Sequence, residues 1–155
     1  MIIWVASYPK SGNTWVRSII SSLIYTEDGI FDFPIIKKID QYPQRRFFEY
    51  FTQDYNNIHE IKKHWITSQE RINLDTKIKF FKTHHLNCKI DNYPFTNKEC
   101  TRATIYIVRD PRNLIDSISN HFGKSVEESK KFLLTSKILS PCLLYTSPSP
   151  RDPKS

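Results

Sequence analysis

The sequence predicts an α/β fold in which helices flank a central parallel sheet. Three short apolar runs, at residues 2–6, 78–83 and 103–108, are rich in β-branched and aromatic side chains, which is typical of strands covered on both faces. Helix-spaced apolar residues follow the first and third runs, and strands that alternate with helices favour a parallel sheet. Because ligands of such sheets bind beyond the carboxyl ends of the strands, we expect the chemistry directly after these runs.

The first strand is followed by a tight loop and a helix. Ser7 and Pro9 end the apolar run. Residues 14–25 then place their apolar side chains three or four positions apart, which predicts a helix with one buried face.

The third strand leads into a second helix with recognisable ends. Asp110 is a suitable N-cap, Pro111 fits the first helical position, and Gly123 fits the helix end. A stripe of apolar side chains on this helix predicts its buried face: Leu114, Ile115, Ile118 and Phe122.

Composition excludes several classes of protein. The 155-residue chain carries 23 Lys and Arg against 16 Asp and Glu, a formal net charge of +7. The basic residues form scattered doublets rather than one block, so we expect no nucleic-acid partner. No apolar run approaches the roughly 18 residues of a membrane span, and the short apolar start is no signal peptide, which predicts a cytoplasmic protein. The three cysteines are widely spaced, which predicts reduced thiols and no zinc site.

The last part of the chain differs in composition from the rest. Four of the nine prolines lie in residues 141–155, where they alternate with serines. We expect a domain at residues 1–140 and a disordered, non-native tail at 141–155, because residues 143–152 look like translated vector sequence.

Residues 8–15, Tyr-Pro-Lys-Ser-Gly-Asn-Thr-Trp, join the first strand to its helix and predict a phosphate site. Gly12 permits a backbone conformation in which successive N–H groups face one anion, next to the positive end of the helix. Lys10 adds a cation, and Ser11 and Thr14 add hydroxyl groups. The usual nucleotide-binding pattern Gly-x-x-x-x-Gly-Lys-Ser/Thr is absent. An ordinary turn with an exposed lysine is the alternative.

Arg109 and Ser117 form a second candidate anion site. Arg109 ends the third strand, and Ser117 lies on the polar face of the following helix. A forked guanidinium contact and a hydroxyl could hold a second phosphate. An ion pair of Arg109 with Asp110 or Asp116 is the alternative.

The second strand ends in Lys82, Thr83, His84 and His85. Histidine is the side chain best suited to accept a proton near neutral pH, so this strand end predicts a general base. A pair of surface or core histidines is the alternative.

Together, three segments resemble the PAPS-dependent sulfotransferase family, where PAPS is 3′-phosphoadenosine 5′-phosphosulfate. They are residues 8–15, Lys-Thr-His at 82–84 and Val-Arg-Asp-Pro-Arg-Asn-Leu-Ile-Asp-Ser at 108–117, in this order. The resemblance implies a three-layer P-loop-like α/β fold, C-terminally truncated here, because later strands and an Arg-Lys-Gly loop of the family are missing. Such a truncation leaves an exposed sheet edge.

The resemblance also implies roles for individual residues. Arg109 and Ser117 would bind the 3′-phosphate of PAPS. His84 would deprotonate an acceptor hydroxyl or amine for in-line attack on sulfur, with Lys10 at the leaving oxygen and Lys82 assisting. The 5′-phosphosulfate would bind to the loop after the first strand: Lys10, Ser11, Gly12, Asn13, Thr14 and Trp15.

The resemblance further implies PAPS as the co-substrate, no metal, and a small molecule or a glycan as the acceptor. A P-loop-type kinase is the first alternative, although the Walker lysine and acidic Mg²⁺ ligands are not placed here. An inactive fragment is the second. The sequence does not indicate an oligomeric state.

The insert at residues 29–77 separates the first two strands, and its apolar spacing predicts a helix at 58–71. We expect most of its aromatic residues in the core, with an apolar acceptor pocket as the alternative. These residues are Phe31, Phe33, Tyr42, Phe47, Phe48, Tyr50, Phe51 and Trp65.

Overall fold

The computed structural model describes residues 1–134, so the predicted domain end near residue 140 and the predicted tail lie outside the described residues. The strands are β1 (Ile2–Ser7), β2 (Asp40–Gln41), β3 (Lys79–Thr83), β4 (Lys89–Ile90), β5 (Tyr93–Pro94) and β6 (Thr101–Ile107). The α-helices are α1 (Asn13–Tyr25), α2 (Ile58–Ile61), α3 (Trp65–Ile72), α4 (Pro111–Phe122) and α5 (Val126–Leu134). Short 3₁₀ helices cover Phe33–Lys38, Arg45–Phe47, Lys62–His64 and Asn73–Asp75.

The main sheet is parallel and has the strand order β2-β3-β1-β6. In its register, Ala6 of the central strand lies opposite Thr83 on one side and Tyr106 on the other. The three long strands therefore end at the same edge, and the segments that follow them meet there. The parallel α/β fold predicted from the sequence is confirmed.

Strand β6 differs from its prediction, because it is not covered on both faces. Within residues 1–134 it pairs only with β1, and Tyr106 is 66% exposed. An outer strand that has one neighbour leaves its other edge open. The continuous apolar run therefore predicted the strand but not its exposure.

The core is an aromatic cluster between the sheet and the insert. The Trp4 ring of β1 lies 5.5 Å from the rings of both Tyr42 and Phe95. Trp65 and Phe48 also belong to this cluster and are fully buried. The insert therefore supplies core residues as expected.

Four of the eight aromatic residues named in the insert depart from that expectation. Phe31 and Phe51 are only half-buried and lie outside the cluster. Phe33 and Tyr50 are 69% and 74% exposed. They lie on or next to the turns of the insert rather than on its buried faces.

The predicted helix at 58–71 is interrupted. Between α2 and α3 the chain forms the 3₁₀ turn Lys62–His64, where the Lys62 side chain is buried and its ammonium contacts Asp91. Asp91 and Asn92 both have positive φ and form the turn of the β4–β5 hairpin, as expected of a type I′ turn. This hairpin was not predicted.

The ends of α4 are those expected from the sequence. The Asp110 carboxylate accepts a hydrogen bond from the Arg112 N–H at 2.9 Å, and Gly123 ends the helix at φ 63°. Helix α5, which was not predicted, packs on α4 through Phe122 and Phe132. None of the helices in the described part of the chain is long and apolar enough to cross a membrane.

Candidate active site

The loop between β1 and α1 has an unusual backbone. The Ser11 N–H donates to the Tyr8 carbonyl at 3.2 Å and closes a turn. Lys10 and Gly12 both lie in the left-handed region, at φ 69° and 97°. A Cβ on Gly12 would meet no atom within 4 Å, so glycine is required by the backbone conformation and the space beside it is open.

The amino end of α1 has unsatisfied donors that face this space. The first backbone bond of the helix runs from the Val16 N–H to the Gly12 carbonyl at 3.1 Å, so the preceding N–H groups have no acceptor within the helix. No side chain caps this end, and its first turn holds no acidic residue. In the described part of the chain, the buried Ser11 hydroxyl also has no hydrogen-bond partner. These donors and the helix dipole suit an oxyanion.

Asn13 turns its side chain away from this space and toward β1. Its amide Nδ2 donates to the Val5 carbonyl at 3.0 Å and to the Ser7 hydroxyl at 3.1 Å. The side chain is buried, whereas Thr14 and Trp15 are exposed. The Asn13 side-chain amide is therefore engaged by β1, so the predicted nucleotide contact of Asn13 would use its main-chain N–H.

His84 follows β3 and lies against the end of β1. Its Nδ1 lies 2.8 Å from the Ser7 carbonyl oxygen and 3.2 Å from the Ser7 hydroxyl. A carbonyl oxygen can only accept, so Nδ1 carries the ring proton and donates it to Ser7. The Nε2 atom then keeps its lone pair and can accept a proton.

The surroundings of His84 keep its ring neutral. Burial lowers the pKa of His84 to about 4, and the positive charges of Lys82 and Arg17 act in the same direction. The bond to the Ser7 carbonyl opposes this shift, because it stabilises the protonated ring. At neutral pH the ring is therefore in the form that a base requires.

His85 occupies a different environment. Its ring stacks on Phe95 at a centroid distance of 5.1 Å and meets the edge of Trp65 at 6.1 Å. Burial lowers the pKa of His85 to about 4. His85 thus packs with the aromatic core, whereas His84 lies beside the loop between β1 and α1, residues 8–12.

Arg109 reaches the same loop from β6. Its Nη1 donates to the Lys10 carbonyl at 3.2 Å. Asp110 was one of the two ion-pair partners that the sequence allowed for Arg109. Its carboxylate pairs with Arg112 instead, with 2.6 Å between Oδ2 and Nη2. Ser117 lies half-buried on α4, the helix that begins directly after this segment.

A family model described as a sulfotransferase domain matches residues 2–146 of the chain. This chain belongs to the sulfotransferase domain family. Neither the comparison with curated proteins nor that with solved structures gave a match. Sulfuryl transfer is the chemistry of this family, so the chain carries a transferase fold.

The sulfotransferase fold brings the predicted segments together around the end of β1. Ser7 contacts His84, and Lys10 contacts Arg109, so this loop joins the residues predicted as candidates at the ends of the second and third strands. Lys82 lies opposite Val5 in the sheet, and its charge acts on His84. Within residues 1–134 no group of three or more His, Cys, Asp or Glu side chains could hold a metal ion.

Ser7 is the contact that the sequence analysis of this sulfotransferase missed. Ser7 begins the segment in which the sequence predicts the chemistry, but its contact with the base was not predicted. A polar residue that ends a central strand, next to the strand end that carries a candidate base, is the signal that could have indicated it.

Proposed function

We propose that this sulfotransferase uses PAPS as its donor and His84 as the base that activates an acceptor hydroxyl or amine. The orientation of the His84 ring carries the proposal. Its Nδ1 is 2.8 Å from the Ser7 carbonyl, which leaves Nε2 as the proton acceptor. This base lies at the sheet edge that also bears the anion-binding loop.

The donor-binding residues fit the two ends of a nucleotide that has phosphate groups at both its 5′ and 3′ positions. The free N–H groups at the start of α1 and the buried Ser11 hydroxyl suit the 5′-phosphosulfate, and the open space beside Gly12 lets it approach the backbone. The Arg109 guanidinium donates to the Lys10 carbonyl, which keeps it close to the loop. There it can bind the 3′-phosphate, and Ser117 is the second donor to that phosphate. PAPS supplies the sulfuryl group and a phosphate leaving group.

The transfer needs a proton acceptor and a charge that balances the leaving oxygen. As the acceptor oxygen or nitrogen bonds to sulfur, its proton passes to Nε2 of His84, and the bond between sulfur and the bridging phosphate oxygen breaks. The electron pair of that bond remains on the phosphate, where the Lys10 ammonium and the loop N–H groups stabilise it. The proton on Nδ1 stays hydrogen-bonded to the Ser7 carbonyl, and this bond stabilises the charged ring.

Nucleotide binding tests the donor. We expect 3′-phosphoadenosine 5′-phosphate to raise the melting temperature of the chain and ATP to have little effect. Arg109→Ala should weaken the effect of the first nucleotide. A larger stabilisation by ATP would contradict the donor and would favour the kinase.

Transfer of labelled sulfate from PAPS tests the base, with a phenol, an aliphatic alcohol and an amino sugar as acceptors. His84→Asn keeps a donor to the Ser7 carbonyl, because its amide nitrogen replaces Nδ1, but it has no proton acceptor in place of Nε2. We expect it to bind nucleotide normally and to lose about 10²- to 10⁴-fold in rate. His85→Phe is the matched control, since His85 packs in the core. Turnover of His84→Asn at the wild-type rate would refute the assignment.

A further inference from the structure

A buried chain of hydrogen bonds leads from α1 to the His84 ring. The Asn13 amide donates to the Ser7 hydroxyl at 3.1 Å, and the same hydroxyl lies 3.2 Å from Nδ1 of His84. Ser7 and Asn13 are each only 5% exposed. The chain therefore connects the anion-binding helix with the residue proposed as the base.

The direction of each bond follows from its partners. One Asn13 amide proton goes to the Val5 carbonyl, which only accepts, so the amide orientation is fixed and its other proton goes to the Ser7 hydroxyl. The Nδ1 proton of His84 faces both the Ser7 carbonyl at 2.8 Å and the Ser7 hydroxyl at 3.2 Å. Ser7 thus presents two acceptors to one ring proton.

Such an arrangement has two effects on a base. It fixes the ring plane and the tautomer, as a hydrogen bond to one imidazole nitrogen commonly does. It also stabilises the positive charge that appears when Nε2 takes a proton, against the unfavourable charges of Lys82 and Arg17. Ser7 is buried and contacts the His84 ring, so we expect its action to pass through His84.

We propose that Ser7 and Asn13 are positioning residues for His84: Asn13 orients the Ser7 hydroxyl, and Ser7 holds the His84 ring with Nε2 free. This inference rests on the proposed function, because it assigns a task to the residues behind the proposed base. It also gives Asn13 a side-chain task separate from any contact of its main chain with the nucleotide.

Steady-state kinetics of Ser7→Ala, Ser7→Thr and Asn13→Ala test the proposal. We expect kcat to fall about 10- to 100-fold in Ser7→Ala and Asn13→Ala, the range that follows from a misplaced catalytic group, while KM for PAPS stays within about threefold. Ser7→Thr keeps the hydroxyl and should restore most of kcat. Ser21→Ala is the control, since Ser21 is a fully buried serine of α1 whose hydroxyl has no partner among the described residues.

Nitrogen-15 NMR of the His84 ring provides a readout that does not depend on turnover. We expect the Nδ1–H tautomer to dominate in the wild type and in both variants, because the Ser7 carbonyl remains, and the Nδ1 resonance to shift in Ser7→Ala and Asn13→Ala, where the second acceptor is lost or reoriented. An unchanged His84 spectrum in both variants would overturn the proposal, and so would wild-type kcat in Ser7→Ala. A loss of affinity for 3′-phosphoadenosine 5′-phosphate as large as the loss of kcat would also overturn it, because that result indicates damage to the loop.

The proposed function fails by a different result. If His84→Asn turns over normally, His84 is not the base, yet the NMR measurement still decides whether Ser7 and Asn13 hold its ring. If Ser7→Ala does not fold, Asn13→Ala and Ser7→Thr provide the same two measurements.

Discussion

Acidification should destabilise the fold through two buried histidines. His84 and His85 each have a pKa of about 4 in the folded chain, against 6.5 for an exposed imidazole, because burial disfavours their charged forms. Between these values the unfolded chain binds more protons than the folded one, so the free energy of unfolding falls as the pH falls. Each ring then costs about 2 kcal/mol of stability between pH 7 and pH 5.

Urea unfolding, followed by tryptophan fluorescence at several pH values in this range, measures the effect. His84→Asn and His85→Phe each remove one titrating ring, so each variant should lose about half of the pH dependence that the pair contributes. The ionised carboxylates add little here, because they titrate mainly below pH 5. His121, whose pKa is also lowered by burial and by Lys10, remains in both variants and contributes equally.

If the free energy of unfolding depends equally on pH in the wild type and in both variants between pH 7 and pH 5, the two rings are not the cause of the effect. That result would mean that water or a rearrangement solvates the two rings in the folded chain. A reduced slope in only one variant would identify the ring that is desolvated and exclude the other.

Three further predictions concern single side chains. Gly12→Ala places an L-residue at φ 97° without a steric clash and should cost about 1–2 kcal/mol in urea unfolding; an unchanged midpoint would show that the loop rearranges. Lys10→Met removes the cation and keeps the side-chain length, so labelled-sulfate transfer should fall about 10²- to 10³-fold at unchanged stability, and undiminished transfer would remove Lys10 from the mechanism. Tyr42→Phe deletes a buried hydroxyl that lies 2.6 Å from the Ser68 hydroxyl and 3.1 Å from the Trp65 carbonyl. It should lower the free energy of unfolding by about 1 kcal/mol, and a more stable variant would show that these bonds do not offset burial of the hydroxyl.

The parts of the fold that depend on local sequence were predictable. The three strands and the position of α1 follow from apolar periodicity, but the predicted buried face of α1 is wrong, because Trp15 and Leu23 are 72% and 74% exposed and the buried residues of the helix are polar. Asp110 and Gly123 mark the ends of α4 because caps need particular side chains or backbone freedom. The loop at Gly12 was predictable for the same reason.

The contacts that depend on strand pairing were not predictable. Ser7 meets His84 only because β1 pairs with β3, which lies more than seventy residues later in the chain. Without the family resemblance, the sequence pattern could not separate His84 from His85, since adjacent residues at a strand end point to opposite sides and only the packed structure shows which side holds the aromatic core. The exposed faces of β6 were missed because an apolar run predicts a strand but does not show whether other elements cover its faces.

The central position of β1 has a consequence for synthesis on the ribosome. This strand is synthesised before both of its neighbours, because Ile2 pairs with Lys79 and with Thr101. At ordinary translation rates the nascent chain waits roughly 5 to 20 s before its second neighbouring strand has been made. Until β3 has been made, the apolar segment 2–6 has neither of its neighbouring strands, which makes it a natural substrate for chaperones that bind nascent polypeptides.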